Sequence, residues 1–269
     1  MKKIGTLILL MSLSLVACQN TETESDSDQA FKEAHDIPKE IEFNAEGEMI
    51  TFATADEQEG AAYKLQSKET EVDKYLFVIH EWWGLNDFVK RESDRLYESL
   101  NGEVTVMALD LYDGNVATTR DDAKKFMAGV SEERAKMIIQ GAIAEAGEFA
   151  EIATIGWCFG GGWSLKTSIM AGEQGAGCVI YYGMPVTEAK DLAPIQSDIL
   201  GIFAENDQWI TPEVANAFED LAKATGKNIE NHIFKANHAF ANPSGESYNN
   251  EAATEANKIA LDFLKARLL

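Results

Sequence analysis

Short apolar runs and longer amphipathic stretches take turns along most of this chain. Residues 75–80, 104–109, 152–157, 178–182, 199–203 and 231–234 are apolar or β-compatible runs, each about one strand long. Between them, apolar positions recur at helical spacing over 87–100, 120–127, 132–149, 212–225 and 247–267, and a further helix follows the glycines at 160–162. Two β-like pieces, 49–54 and 61–66, precede this alternation and predict an antiparallel hairpin. Strands and helices alternating at this spacing predict an α/β fold with a mostly parallel sheet and helices on both faces. Chemistry in such sheets gathers just beyond the carboxyl ends of the strands.

The stretch at 152–165 holds the strongest candidate for that chemistry. Its strand runs into Gly156-Trp157-Cys158-Phe159-Gly160, a nucleophile elbow with cysteine in place of serine. Glycine on both sides lets strand and helix close around a tight, strained turn. The turn lifts the sulfur above the sheet, next to N–H groups at a helix start, which favour a thiolate or a developing oxyanion. A buried structural cysteine is the competing reading. A phosphate loop is excluded because no G-K-[ST] follows.

Two other strand tips supply partners. Asp207 follows the run ending at Phe203, and His238 follows the run ending at Phe234. Nucleophile, acid and histidine then stand in the chain order of α/β-hydrolases. Asp207 would orient the imidazole, which takes the thiol proton and later returns one to the leaving group. Glu205 is the competing acid, closer to its strand. Of the other histidines, His35 lies ahead of the domain, His232 inside a strand, and His80 is a weaker strand-end candidate.

With those residues in place, five motifs in order resemble the dienelactone hydrolase family. They are His80-Glu81-Trp82-Trp83-Gly84-Leu85-Asn86, Asp110-Leu111-Tyr112, the GWCFGG elbow, Tyr181-Tyr182-Gly183, and Asn237-His238-Ala239-Phe240. The resemblance implies an α/β-hydrolase fold over residues 36–269 and a cysteine hydrolase of carboxylic esters or lactones. It implies that Glu81 holds the resting thiol and helps to activate it. It also implies an oxyanion hole formed by the Trp82 and Phe159 N–H groups. A carboxylate beside the sulfur fits a neutral resting thiol. The family's two substrate-binding arginines correspond to Gly114 and Asn242. The expected pocket residues are Trp83, Tyr182, Met184 and Trp209, beside Trp82, and the strand-tip segments carry no Lys or Arg. Neutral esters or lactones are therefore expected over carboxylate-bearing ones, Arg120 being the nearest cation. A non-catalytic ligand-binding lipoprotein, and an acyltransferase or thioesterase on the same triad, are the alternatives.

Composition adds bounds. The 269 residues are 45% hydrophobic and 25% charged, enough for one cored domain, and the net charge of −22 argues against nucleic acid. Residues 1–17 have two lysines, an apolar core and small residues, the form of a secretory signal. Leu15-Val16-Ala17-Cys18 resembles the lipobox of bacterial lipoproteins, which implies lipidation of Cys18 and export to a membrane anchor. Residues 18–35 are polar and acidic and read as a tether. Cys178 starts a core strand, and no disulfide with Cys158 is expected. No cofactor is expected, no metal site is expected from the Cys and His spacing, and a monomer is the working expectation.

Overall fold

The computed structural model describes residues 32, 35, 37–39, 41–69 and 73–269. The signal at 1–17, Cys18 and nearly all of the tether lie outside the described residues. The described strands are β1 (Glu48–Ala53), β2 (Glu59–Leu65), β3 (Lys74–Ile79), β4 (Thr105–Asp110), β5 (Glu151–Trp157), β6 (Gly175–Tyr181), β7 (Asp198–Ala204) and β8 (Ile229–Phe234). They form one sheet in the order β1-β2-β4-β3-β5-β6-β7-β8. β1 and β2 make the expected hairpin and join β4 antiparallel, and the rest is parallel. The architecture is that of an α/β-hydrolase. The helices are α1 (Asp87–Ser99), α2 (Arg120–Gly129), α3 (Glu132–Ala146), α4 (Phe159–Ala171), α5 (Ala189–Leu192), α6 (Pro212–Ala224) and α7 (Asn250–Leu268). The short α5 and the turn at Gly172–Gln174 fall below the length that periodicity resolves.

The period of two along each buried strand sends side chains to opposite faces. In β3, Leu76 and Val78 enter one core with Val89 and Leu96 of α1 and Ala256 and Leu264 of α7. Phe77 and Ile79 enter the other, with Ile138 and Ala142 of α3 and Trp163 of α4. Both faces are thus sealed, and each such Leu, Ile or Phe contributes about 1.5–3 kcal/mol. Among the described residues no helix is long and apolar enough to cross a membrane.

Strand order places the site. From β3 the chain steps to β4 on one side and then to β5 on the other. The crevice at that reversal is where ligands bind in open parallel sheets. β5 ends there, in the elbow.

Candidate active site

The glycines of the elbow are there because backbone occupies the space a side chain would need. A Cβ on Gly156 would lie 2.1 Å from the Gly160 carbonyl oxygen, and one on Gly160 would lie 2.3 Å from that of Ile79. Cys158 sits between them at φ 55° and ψ −118°, a conformation costing roughly 1–3 kcal/mol in a non-glycine residue. The turn is held by Cys158 N–H donating to the Tyr181 carbonyl at 3.0 Å and Gly161 N–H donating to the Cys158 carbonyl at 2.9 Å. Phe159 then opens α4 with its N–H beside the sulfur-bearing residue.

The carboxyl edge gathers the partners. His238, four residues beyond β8, donates from Nδ1 to Asp207 Oδ2 at 2.5 Å. The other oxygen of Asp207 accepts the N–H groups of Trp209 and Ile210, at 2.9 and 3.0 Å. His238 is 5% exposed, and its Nε2 is within 4.8 Å of Cys158 Sγ without a hydrogen-bond partner among the described residues. That is close enough for charge attraction. Glu205, the rival acid, is exposed.

Electrostatics follow from this packing. Burial alone would push the Cys158 thiol up, but the charge of His238, with His35 beside the sulfur, brings it down to about 6. Burial alone would pull His238 down, and the sulfur and Asp207 push it up to about 10. Both shifts favour the thiolate–imidazolium form of the pair. Glu81 is the group that yields: burial and the sulfur's negative charge raise its carboxyl to about 7. The neutral resting thiol implied by the resemblance meets an opposing pull here, since the charge of His238, with His35 beside the sulfur, lowers the thiol against its burial.

Glu81 accepts from Asn242 Nδ2 at 2.5 Å, and its Oε1 is buried without a hydrogen-bond partner among the described residues. Its folded value of about 7 lies above the ordinary 4.5, so the fold favours the protonated form. That stabilisation is full below the ordinary value and is lost as pH rises through the folded one. Glu81→Gln is neutral throughout and is expected to raise stability by about 1–3 kcal/mol near pH 8, with little change near pH 5. Thermal unfolding at the two pH values checks this, and an equal gain at both would contradict it.

His80 is not a triad member. Fully buried, it donates from Nδ1 to the Glu81 carbonyl at 2.6 Å, because its Nε2 must accept the Leu111 N–H at 3.2 Å. Burial holds its pKa low and keeps it neutral. It straps the Glu81–Trp82 loop to the end of β4.

A cleft of about 660 Å³ opens over Cys158 and His238, with Tyr182, Met184 and Trp209 in its wall as expected. Trp83 is a correction. It is 2% exposed and packs edge-on against Trp82 and against Ala117 and Ala123, the last on α2, so its ring is spent in the core. A second correction is Lys166, a cation in the cleft wall supplied by α4 rather than by a strand tip. Gly162, Trp163 and Lys166 share one helix face at i, i+1 and i+4, a signal the sequence did carry. Lys166 Nζ lies 4.4 Å over the Trp163 ring and 3.6 Å from Glu132 Oε1. Gly114 has φ +87°, so an arginine there would be strained, and Asn242 is engaged by Glu81. Cys178 is a buried free thiol in the core, as expected.

The third correction is His35. Assigned to the end of the tether, it is 4% exposed and lies among the catalytic side chains. Its ring centroid is 4.7 Å from Trp82 and 4.9 Å from His238, and its Nε2 is 3.6 Å from Cys158 Sγ. Arg120 Nε donates to its carbonyl at 2.7 Å, and Lys32 pairs with Asp121. A contact spanning 123 positions leaves no trace in local spacing.

Residues 61–268 match the model of the dienelactone hydrolase family. Proteins of Aquifex aeolicus and Saccharolobus solfataricus, both named "Putative carboxymethylenebutenolidase", are 27% and 28% identical over 206 and 230 residues. These matches cover 72% and 71% of this chain and 88% of each relative. In fold, the chain is similar to a dienelactone hydrolase-like promiscuous phosphotriesterase from metagenomic libraries, with TM-score 0.71 and 19% identity over 84% of this chain and 100% of that one. It is also similar to a dienelactone hydrolase of Anabaena variabilis, with TM-score 0.60 and 14% identity over the same shares.

Proposed function

The chain belongs to the dienelactone hydrolase family and is a hydrolase of ester or lactone bonds, and from that premise we propose that Cys158 is its nucleophile. The observation that carries this is the sulfur on a strained elbow, facing a buried imidazole whose far nitrogen is fixed by Asp207 at 2.5 Å. The thiolate attacks the ester or lactone carbonyl, and the Phe159 and Trp82 N–H groups receive the oxyanion. The C–O bond breaks as imidazolium His238 gives its proton to the leaving alkoxide. Neutral His238 then takes a proton from water, whose oxygen attacks the thioester and releases the acid and the thiolate.

The reading extends to substrate charge. Lys166 is partly satisfied by Glu132 and balanced by Asp191 in the same wall, so a substrate carboxylate gains little there to offset its lost hydration. Neutral aryl esters and lactones are expected to exceed matched anionic analogues in kcat/KM, and Lys166→Gln to widen the gap by about tenfold or less. Should the wild type favour the anion and Lys166→Gln abolish that preference, Lys166 is the carboxylate clamp and the neutral assignment falls.

The proposal also includes the lipid anchor read from residues 15–18. Cys18→Ala is expected to move the protein from membrane to soluble fractions with hydrolysis unchanged, the lipid being remote from the cleft. A variant that stays membrane-bound through carbonate washing would contradict it.

A further inference from the structure

We propose that His35, Cys158 and His238 form a binding site for one thiophilic divalent cation of the zinc class, and that its occupancy switches the hydrolase off. One ligand atom from each lies within 4.8 Å of the other two, all three residues being buried. The 3.6 Å between Cys158 Sγ and His35 Nε2 matches the edge of a tetrahedral site with Zn–S of about 2.3 Å and Zn–N of about 2.0 Å, which comes to about 3.5 Å. Any longer side, up to the 4.8 Å bound, must close by up to about 1.5 Å.

His238 supplies an independent observation. Its Nε2 is buried, faces the sulfur and has no hydrogen-bond partner among the described residues, while Nδ1 donates to Asp207. A carboxylate on the far nitrogen is how metal-bound imidazoles are oriented and made more basic. One thiolate and two imidazoles select zinc or similarly soft ions over calcium or magnesium. The Cys158 sulfur, bound as thiolate, supplies one of the negative charges that a buried dication requires.

Binding needs no redox step. One proton leaves the Cys158–His238 pair for solvent as the Zn–S bond and the two Zn–N bonds, to His238 and His35, form. The metal then holds both the nucleophile and the base, and hydrolysis stops. The Arg120 Nε hydrogen bond to the His35 carbonyl helps to hold His35 beside the thiol. This site was not legible in the sequence, where no Cys and His pair stands at zinc-ligand spacing.

The test titrates the full-length chain with Zn²⁺ and, for a spectroscopic reading, Co²⁺. Inhibition depends on the hydrolase reading above, whereas the thiolate-to-cobalt charge-transfer band and calorimetric Kd report binding whether or not the chain hydrolyses anything. Wild type should bind one Zn²⁺ per chain, release about one proton, and lose its own zinc-free rate in parallel. His35→Ala should weaken Zn²⁺ by about 100-fold or more, measured both as Kd and as the concentration halving that variant's own rate, and His35→Cys should restore tight binding. Cys158→Ala should abolish the cobalt band. No stoichiometric binding, equal affinity in wild type and His35→Ala, or a cobalt band that survives Cys158→Ala would each overturn the site. Tight, His35-dependent binding without any ester turnover would uphold the metal site and remove the hydrolase reading instead.

Discussion

Cys158→Ala is expected to lower kcat/KM on an activated aryl ester by at least about 10⁴-fold while the protein stays folded. The large loss follows from the chemistry: without sulfur, the covalent route through a thioester is gone, and the oxyanion donors and His238 can only assist water. The fold should survive because alanine at φ 55° carries no more backbone strain than cysteine does, and the turn is held by main-chain bonds to Tyr181 and Gly161 that alanine keeps. Kinetics with matched unfolding curves check both halves. Near-wild-type turnover would place the nucleophile elsewhere, and gross unfolding would make Cys158 a structural residue.

Asp207→Asn is expected to cost about 10³–10⁴-fold in kcat. The geometry decides which way the amide must sit. Oδ1 of Asp207 accepts two backbone N–H groups, from Trp209 and Ile210, so asparagine keeps its oxygen there and turns its NH₂ toward His238. Two donors then face each other unless His238 moves its proton to Nε2. In that tautomer the nitrogen facing the sulfur has no lone pair, and the imidazolium loses the anion that, after the sulfur, raises its pKa. KM should change little, and the fraction of thiolate near neutral pH should fall. A loss below tenfold would mean that His238 is oriented by something else, with Glu205 the first alternative to test by the same substitution.

The strands were legible because two-sided burial makes each a compact apolar run bounded by polar residues. Once β5, β7 and β8 were set, Cys158, Asp207 and His238 followed, since each stands within a few residues of its strand's carboxyl end. What escaped were contacts that do not depend on strand tips. Lys166 reaches the cleft two helical turns after the nucleophile, along a face that reading strand ends alone does not include. Trp83 has the composition of a pocket residue but the direction of a core one, and side-chain direction on an irregular loop is not periodic. His35 looked like tether because its neighbours are polar, yet an aromatic box of Trp82, Trp209 and His238 buries its ring. The lowering of the thiol pKa was unforeseen for the same reason, since the second imidazole beside the sulfur comes from a residue 123 positions away.

The central claim is that catalysis passes through a thioester on Cys158, and the direct measurement is the mass of the protein quenched in acid during turnover of an aryl ester. The mechanism requires a transient gain of one acyl mass, mapped by peptide sequencing to the segment containing Cys158, absent from Cys158→Ala, and released by hydroxylamine. Turnover with no adduct under conditions of rapid acylation, or an adduct on a serine or on Cys178, would contradict it.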